Sequence, residues 1–488
     1  MNIDDIDDID DIYTPQVVIG TLGHVANGKT TITKKLTGES TLRSEAEIKK
    51  GGKTLKLGYA NGKIFKCNTC DEPLCYSSGS YLLKEKKCNY CLGETKLVKI
   101  YSIMDCPGHN SLMSLVTSGT CIIDYTILVE SYPDTSKSDY IYPSPQTIEH
   151  YNVAKLAGIK NIATILNKID LCSENIHKKV KTINNFINIL NEKIETPSLD
   201  KLVIPMAAVY DINIDVLCQK IANIIPPKRD LVSEPILIIS RSFDINKPQK
   251  ITSSTQLKGG TVGGALLKGT IKVNNELLIY PGYVKFIEKK TIEVINKINI
   301  NINNKTKKKK EKKILEYDIF EYCPIETCVT SIQSGSKSID IAKPGGLIAL
   351  QLDIDPSITK SDRATGTIIT TSTNKNIKVS NMIMFQILMV FPEKDGSVKT
   401  IEFTNGKIID VHINSTTVIG KMFKYKSDKK EGRIFLEKPV VIYPNVKMVI
   451  SEHNNNQYNI QDGERNMDSG KNIAQCVVID CEECNINN

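Results

Sequence analysis

A phosphate-binding loop constrains the fold of this chain more than any other feature of its sequence. Residues 23–30 read GHVANGKT and fit the pattern G-x-x-x-x-G-K-[ST]. The apolar residues 17–20 before the loop indicate a strand, and residues 31–36 after it carry a helical pattern. In such a motif the glycines let backbone N–H groups turn toward phosphates, Lys29 reaches the terminal phosphates, and the Thr30 hydroxyl can bind Mg²⁺. The sequence therefore predicts a nucleotide-binding α/β domain.

Two downstream motifs indicate which nucleotide is bound. Asp105 opens the motif DCPG, which places a carboxylate near the metal and the N–H of Gly108 near the γ-phosphate. Asn167 opens the motif NKID, whose Asp170 can accept hydrogen bonds from both the N1–H and the amino group of guanine. Adenine offers no such pair of donors. Each motif alone is compatible with a solvated turn, but the three in this order, each after a strand-like run, predict a guanine-nucleotide switch protein.

Length and charge bound the remaining possibilities. A chain of 488 residues exceeds one core and suggests about three domains. Its 63 basic and 55 acidic side chains give a net charge of +8, which permits a nucleic-acid partner without demanding one. The sequence has no apolar run of roughly 18 residues, and residues 4–12 are acidic where a secretory signal would be basic. We therefore expect a cytoplasmic protein without a membrane partner, whose cysteines are thiols or metal ligands.

Four cysteines have the spacing of a zinc ribbon. Cys67 and Cys70 form one C-x-x-C pair, Cys88 and Cys91 form another, and 17 residues separate the pairs. Four thiolates from two tight turns can close a tetrahedral zinc site without an open position for water, which favours a structural role. Four free surface thiols are the alternative.

The pattern along the chain predicts an α/β P-loop GTPase domain with an inserted zinc ribbon, followed by two β-barrel domains. Apolar runs alternate with helical patterns before a proline-containing linker, whereas short β-branched runs punctuated by glycine pairs follow it. The predicted boundaries are residues 1–14 for a disordered acidic tail, 15–228 for the GTPase domain with its ribbon at 64–94, 229–372 for β-barrel domain II, 373–452 for β-barrel domain III and 453–488 for a polar tail.

A lysine-rich segment interrupts domain II. Residues 295–304 are rich in asparagine and isoleucine, and residues 305–313 contain seven lysines. Blocks of like charge are commonly disordered, so we favour a solvated loop over 295–313, with an RNA-contacting patch as the alternative.

The motifs in their order resemble the gamma subunit of translation initiation factor two. The resemblance covers about residues 15–370 and is weak in the third region. Besides the loop, the ribbon and the two later motifs, it is carried by residues 56–61 (KLGYAN), 143–150 (PSPQTIEH), 241–248 (RSFDINKP), 257–260 (LKGG) and 262–269 (VGGALLKG).

The resemblance implies a GTP-dependent carrier of initiator methionyl-tRNA, built like elongation factor Tu. Such a protein is the core of a heterotrimer with alpha and beta subunits, acts on the small ribosomal subunit, and responds to GTPase-activating and nucleotide-exchange factors. GTP hydrolysis, slow without an activating partner, would time its release. The implied cofactors are GTP or GDP, Mg²⁺ and structural Zn²⁺.

The resemblance also assigns residues. It implies catalytic and switch roles for Thr54, Asp105, Gly108 and His109, with His109 positioning the attacking water. Thr30 and Thr54 would hold Mg²⁺, and Tyr59 would help form the tRNA acceptor pocket. The implied nucleotide-binding residues are Gly23, Ala26, Asn27, Gly28, Lys29, Thr30, Thr31, Asn167, Lys168, Asp170, Ala207 and Ala208.

Two departures from the motifs leave alternatives open. Ala26 stands where elongation factors typically carry aspartate, which argues, with the ribbon, against a selenocysteinyl-tRNA or general elongation factor. Ala207 replaces the serine of the fifth guanine motif, although the N–H of Ala208 can still serve the guanine carbonyl. A nucleotide-binding scaffold without useful hydrolysis therefore remains a second interpretation, against which the intact Thr54 and His109 argue.

Overall fold

The structure is a computed structural model that describes residues 14–41, 57–108, 122–133, 142–159, 161–172, 176–193, 203–246, 257–302, 305–390, 403–453 and 472–486. For residues 295–302 and 305–311 only the backbone is described. The predicted acidic tail up to residue 13, Thr54 and His109 lie outside these ranges. None of the helices in the described ranges is long and apolar enough to cross a membrane.

The amino-terminal region is built on a seven-stranded sheet. Its strands are β1 (Val17–Leu22), β2 (Gly58–Cys67), β3 (Tyr76–Ser80), β4 (Thr95–Asp105), β5 (Tyr125–Ser131), β6 (Asn161–Asn167) and β7 (Ile204–Pro205). The strand order is β3-β2-β4-β1-β5-β6-β7. Strands β4, β1, β5, β6 and β7 are parallel, whereas β2 and β3 are antiparallel to their neighbours. All six residues of the central strand β1 are buried, as expected for a parallel strand covered on both faces.

Helices pack on this sheet through apolar residues four positions apart. They are α1 (Lys29–Thr37), α2 (Pro145–Leu156), α3 (Ile176–Lys193) and α4 (Ile214–Ala222). Ile32 and Leu36 in α1, and Leu217 and Ile221 in α4, have no exposed surface. Residues at i and i+4 lie on one helix face, so α1 and α4 each turn a narrow apolar stripe to the sheet. The predicted doubly wound α/β domain is confirmed.

The remaining strands are β8 (Ile236–Phe243), β9 (Thr261–Lys268), β10 (Ile271–Lys272), β11 (Glu276–Ile302), β12 (Lys305–Ser334), β13 (Lys337–Ile339), β14 (Ile341–Ala342), β15 (Leu347–Leu352), β16 (Ile368–Thr370), β17 (Lys378–Val390), β18 (Ile408–Ile413), β19 (Thr416–Lys426), β20 (Glu431–Ile442), β21 (Lys447–Glu452), β22 (Asn472–Glu482) and β23 (Asn485–Ile486). A short helix, α5, spans Pro356–Thr359. The chain forms two compact units, residues 1–275 with 329–363, and residues 276–328 with 364–488.

An antiparallel sheet completes the first unit. Strand β9 pairs with β8 and with β15, and β15 pairs with the last residues of β12, which also pair with β13. Glycines in β9 sit where neighbouring backbone comes close: a Cβ on Gly264 would lie 2.9 Å from the carbonyl carbon of Ile238. The glycine pairs that punctuate the sequence here therefore have a packing role.

The second unit contains a closed barrel of six strands in the order β17-β20-β19-β18-β21-β22. Inward positions alternate along its strands, and Phe385, Val411, Met422 and Ile434 have no exposed surface. This barrel agrees with the predicted second β-rich domain, but its last strand corrects the predicted boundary. Strand β22 lies within residues 453–488, which were predicted as a polar tail. Its residues Ala474, Cys476 and Val478 are spaced two apart, so all three lie on the strand face that packs into the barrel core.

Residues 276–328 belong to the same compact unit as the closed barrel, and the limits 229–372 given for domain II stay a prediction. One prediction within these limits needs correction. The segment 295–313, predicted as a solvated loop, lies in β11 and β12 apart from residues 303 and 304. Isoleucines at every second position from 298 to 302 give this segment the two-residue period of a strand, which charge density alone had obscured.

Candidate functional site

The phosphate-binding loop adopts a backbone that accommodates few side chains. Gly23, Ala26 and Gly28 have φ values of 133°, 63° and 97°. A Cβ on Gly23 would collide with the carbonyl group of Val129, so glycine is required there. Gly28 precedes α1, and no side chain caps the first turn of this helix. Uncapped N–H groups at a helix N-terminus form a site for an anion.

Side chains of helix α2 hold the phosphate-binding loop by accepting hydrogen bonds from its backbone N–H groups. The N–H of Gly23 donates to Nδ1 of His150 at 2.9 Å, and the N–H of His24 donates to Oγ1 of Thr147 at 3.2 Å. Burial lowers the pKa of His150 to about 3, and the neighbouring Lys29 ammonium contributes in the same direction. His150 is therefore neutral, and its Nδ1 is free of a proton to accept this bond.

Sequence reasoning did not single out His150 and Thr147 as site residues. They lie in the segment PSPQTIEH, which entered only as part of a family resemblance. Polar residues three positions apart on one face of a helix that follows a buried strand would have been the signal. Asn27 adds a third anchor, because its Nδ2 donates to the carbonyl of Val129 in β5 at 2.8 Å.

Lys29 and Gly108 meet at the loop. Lys29 is 5 % exposed, and its ammonium donates to the carbonyls of Gly23 and His24 at 2.9 and 2.8 Å. Burial lowers the pKa of Lys29 to about 8, with the charge of Asp105 acting in the opposite direction. A Cβ on Gly108 would lie 2.9 Å from the carbonyl oxygen of Gly23, so the DCPG motif approaches the loop closely only because this residue is glycine.

Asp105 gathers three hydroxyl groups. It has no exposed surface and accepts from Thr21 at 3.0 Å, from Thr30 at 2.7 Å and from Thr41 at 2.7 Å. Carboxylate and hydroxyl oxygens are ligands that suit Mg²⁺. The structure thus brings the predicted pair, Thr30 and Asp105, into direct contact, and it adds Thr21 and Thr41, which sequence reasoning missed.

Asn167 ties the far side of the loop to the region after β7. Its Nδ2 donates to the carbonyl of Asn27 at 2.9 Å, and its Oδ1 accepts from the N–H of Ala208 at 3.1 Å. The Ala208 N–H, assigned from sequence to a guanine carbonyl, has Asn167 as its acceptor in this structure. Lys168 has a φ of 63° and Asp170 is exposed, so the NKID motif turns sharply at the end of β6 and directs its carboxylate outward.

Three other predicted residues lie near this centre. Thr31 is half-buried in the first turn of α1, and Ala207 is buried beside Ala208. Tyr59 is half-buried in β2, directly after Gly58, which pairs with Asp105 across the sheet. Tyr59 therefore lies on the strand that pairs with β4 next to Asp105, and its part in a tRNA acceptor pocket stays a prediction.

The four predicted zinc ligands form a compact cluster. All four sulfur atoms lie within 4.8 Å of one another, with Cys67 and Cys91 3.5 Å apart and Cys70 and Cys88 3.7 Å apart. A tetrahedral ion with bonds of about 2.3 Å to sulfur separates its ligands by about 3.8 Å, so the cluster has the size of a zinc site. It is the one group of this kind found among the residues that the structure describes.

Hydrogen bonds prepare these thiols for ionisation. Backbone N–H groups of Thr69, Tyr90 and Gly93 donate to Cys67, Cys88 and Cys91 at 3.4 Å in each case. The side chain and N–H of Thr69 lower the pKa of Cys67 to about 6. A hydrogen bond with the Cys91 thiol, followed by burial and by hydrogen bonds with the other two thiols, raises the pKa of Cys70 to about 12. A divalent cation bound to all four sulfur atoms would favour their thiolate forms and offset this rise.

A parallel sheet that carries this loop, a buried aspartate after β4 and an Asn-Lys-x-Asp turn after β6 defines a P-loop GTPase. The family model described as "Elongation factor Tu GTP binding domain" matches residues 14–227. The translation initiation factor 2 gamma subunit of Sulfurisphaera tokodaii is 32 % identical over 445 residues, covering 90 % of this chain and 94 % of the relative. The eukaryotic translation initiation factor 2 gamma subunit of Encephalitozoon cuniculi is 33 % identical over 454 residues, covering 91 % and 90 %.

The chain belongs to the family of translation initiation factor 2 gamma subunits, and the family resemblance of its motifs is confirmed. It is a GTP-binding translation initiation factor and a translational GTPase. Among solved structures, a bacterial selenocysteine-specific elongation factor matches with a TM-score of 0.61 at 19 % identity, covering 96 % of this chain and 59 % of that one. The elongation factor SelB from Methanococcus maripaludis matches with a TM-score of 0.59 at 16 % identity, covering 96 % and 80 %. These two matches support the architecture alone.

Proposed function

We propose that this protein carries initiator methionyl-tRNA to the small ribosomal subunit in its GTP-bound state and that GTP hydrolysis times its release. The observation that carries this proposal is the match to named gamma subunits over 90 % of the chain, together with a built GTPase site.

The nucleotide site fits GTP and Mg²⁺. Phosphates would be held by the loop residues Gly23, Ala26, Asn27, Gly28, Lys29 and Thr31. The hydroxyls of Thr30 and Thr54 would hold Mg²⁺, which when bound neutralises developing charge on the phosphates. Asp105 orients the Thr30 hydroxyl through its 2.7 Å hydrogen bond. Gly108 brings the second switch against the loop, and we assign His109 to position the attacking water.

Guanine recognition is assigned to the other edge of the loop. Asp170 is exposed at the end of β6, where it is open to the two donors of guanine. Asn167 and Lys168 support it, the former by fixing the turn to Asn27 and Ala208. Ala207 lacks the hydroxyl of the usual serine, so we expect guanine binding that is weakened but retained.

The cysteine cluster fits Zn²⁺ in a structural role. Its four ligands, Cys67, Cys70, Cys88 and Cys91, fill a tetrahedron, so bound zinc would order the ribbon between β2 and β4 without an open position for chemistry. We further propose alpha and beta subunits as partners in a heterotrimer in the cytoplasm, with GTPase-activating and nucleotide-exchange factors acting on the switches.

A nucleotide-dependent tRNA affinity tests the proposal. The γ-phosphate should order the first switch through Thr54 and the second through Gly108, and Tyr59 follows the first switch closely enough to move with it. Methionyl-tRNA should then bind the form that carries a non-hydrolysable GTP analogue about 5- to 150-fold more tightly than the GDP form. By linkage, the tRNA should tighten GTP by the same factor. Affinities are compared at one salt concentration, with the alpha and beta subunits present.

Asp170→Asn provides the matched control. If the coupling passes through this pocket, xanthosine nucleotides should replace guanosine nucleotides in promoting tRNA binding to the variant. Equal tRNA affinities in the GTP-analogue and GDP states would contradict the carrier function. That result would favour the scaffold interpretation, which is consistent with alanine rather than serine at position 207. Single-turnover GTP hydrolysis, measured with and without small ribosomal subunits, would then test the scaffold interpretation.

A further inference from the structure

The net positive charge of this chain is concentrated in one segment. Residues 295–313 contain eight lysines and one glutamate, a net charge of +7, whereas the whole chain carries +8. The other 469 residues therefore carry a net charge of only +1. A charge so localised marks a surface that attracts a polyanion, because an evenly spread excess would create a much weaker local potential.

The backbone of this segment forms a regular two-stranded ribbon. Strands β11 and β12 pair in unbroken register from Glu288 opposite Ile319 to Ile302 opposite Lys305, which is fifteen consecutive pairs. The last eight pairs, from Ile295 with Lys312 onward, span about 24 Å at 3.4 Å per residue. Among the strands that the structure describes, these eight pairs bond only to each other.

The ribbon is anchored on the closed barrel just before the lysine-rich part begins. The Tyr317 ring stacks on Phe435 of β20 with centroids 4.3 Å apart, and Nδ2 of Asn381 in β17 donates to the carbonyl of Asp318 at 2.7 Å. Val294 and Leu315 are 6 % and 5 % exposed. A two-stranded hairpin alone is marginally stable in water, so this packing gives the ribbon a fixed base.

The register sorts residues onto two faces. Because directly opposed residues share a face and successive residues alternate, Asn301 with Thr306, Asn299 with Lys308 and Lys297 with Lys310 occupy one face. We call this the asparagine–lysine face. The other, the isoleucine–lysine face, carries Ile302 with Lys305, Ile300 with Lys307 and Ile298 with Lys309. At these six pairs only the asparagine–lysine face is polar throughout. Nearer the base, the same alternation adds Ile295 with Lys312 to this face and Asn296 with Glu311 to the other.

We propose that the asparagine–lysine face binds the phosphate backbone of double-helical RNA. Lysine is a point charge suited to phosphate, and the amides of asparagine donate to phosphate and ribose oxygens. Residues 295–313 contain no arginine and no aromatic side chain, so the stacking platforms used for single-stranded RNA are missing from this sequence segment. RNA is the polyanion that a translation initiation factor meets, and backbone contacts would make binding independent of base sequence.

Two matched triple variants test this inference. Lys297→Gln, Lys308→Gln and Lys310→Gln neutralise the asparagine–lysine face, and Lys305→Gln, Lys307→Gln and Lys309→Gln make the same charge change on the isoleucine–lysine face. Binding of the full-length proteins to a 20-base-pair RNA duplex is measured from 50 to 200 mM salt. Three lost phosphate contacts should reduce the salt slope by about 2 to 3, so the parent should lose roughly 15- to 60-fold more affinity than the first variant over this range. The second variant should retain most of the parental slope.

Further probes identify the source of the RNA and the competing explanation. Deacylated tRNA and purified small ribosomal subunits are tested in the same way, and the probe that shows the face-dependent loss identifies the physiological source. A polyglutamate peptide that binds with the same dependence on the asparagine–lysine face would overturn the RNA assignment in favour of an acidic protein. Equal losses in the two triple variants, or no loss in either, would also overturn it. No methionyl-tRNA or GTP enters the assay, so its outcome is separate from that of the proposed carrier function.

Discussion

The bond between the Gly23 N–H and His150 predicts an acid-sensitive nucleotide domain. Protonation of His150 at Nδ1 would put two N–H donors face to face at a distance of 2.9 Å, in a position with no exposed surface. We expect His150→Gln to remove this sensitivity, because an amide oxygen can accept the same bond and does not titrate near neutrality.

The size of the expected stability loss follows from the linkage between proton binding and folding. Burial lowers the pKa of His150 to about 3 in the folded state, against an ordinary value of about 6.5 in the unfolded chain. A depressed histidine pKa gives stability that is complete above pH 6.5 and is lost as the pH falls toward 3, because only the unfolded chain takes up the proton. Between pH 7 and pH 5 the loss is about 2 kcal/mol. This figure hardly depends on the folded-state pKa, since a group with a pKa anywhere below about 4 is almost unprotonated at pH 5.

Urea unfolding at pH 7, 6 and 5 measures this loss. The chain has two compact units, so the transition of the first unit is identified as the one that GDP shifts to higher urea. For that transition, the parent should lose about 2 kcal/mol more than His150→Gln between pH 7 and pH 5. His412→Gln is the matched control. His412 is buried in the second unit between Thr417 and Ser451, and burial lowers its pKa to about 4, so its replacement should alter the pH dependence of the other transition only.

An identical pH dependence of the parent and His150→Gln in the GDP-sensitive transition would refute this reasoning. It would mean that the Gly23 loop opens on acidification without unfolding the domain, or that water reaches His150. A GDP affinity that falls by the same factor in both proteins at pH 5 would point to the first of these explanations.

Three other predictions concern the same unit. Asn167→Ala leaves two buried backbone groups without their partner and should cost about 2–4 kcal/mol of GDP binding or domain stability. Asn167→Asp at pH 7 should lose less, because one acceptor remains. Isothermal titration with GDP compares the two variants. Asp170→Asn should weaken GTP by the 1.5–3 kcal/mol typical of a charged hydrogen bond and improve xanthosine triphosphate, and unchanged affinity for both would remove Asp170 from the base site. The purified chain should hold one zinc by elemental analysis, and the double variant Cys67→Ser, Cys88→Ser should hold none; full retention of metal would exclude the cluster as its site.

Sequence predicted the chemistry of the nucleotide site because its reactive groups lie at strand ends. The strand before Lys29 and the strand before Asp105 are short apolar runs, and in a parallel sheet their carboxyl ends meet at one edge. This topology alone brings Thr30 to Asp105 across 75 positions of sequence. The four-cysteine site could be predicted from sequence for a similar reason, since metal geometry fixes the spacing of the cysteines within each pair.

The residues that hold these groups in place could not be predicted from sequence in the same way. His150 accepts from Gly23 across 127 positions, and Asn27 reaches Val129 across 102. Nothing local in a polar helical residue distinguishes a buried acceptor from a solvated one, so these contacts depend on how α2 lies against β5. The N–H of Ala208 shows the same limit, because its acceptor is chosen by the position of Asn167 rather than by its own motif.

The prediction of a loop at the lysine-rich segment was wrong for a different reason, because two sequence rules conflict there. Like charges opposite one another destabilise a ladder by up to about 1 kcal/mol per pair, which argues for a loop. In the observed register, however, Lys297 with Lys310 is the single directly opposed lysine pair, and every other lysine from 305 to 313 faces an isoleucine, an asparagine or Val294. Repulsion is thus confined mainly to neighbours within β12, while the alternating isoleucines of β11 favour a strand. The residual repulsion is a cost that bound phosphates would relieve, and for that reason the charge that misled the prediction of structure also supports the RNA-binding inference.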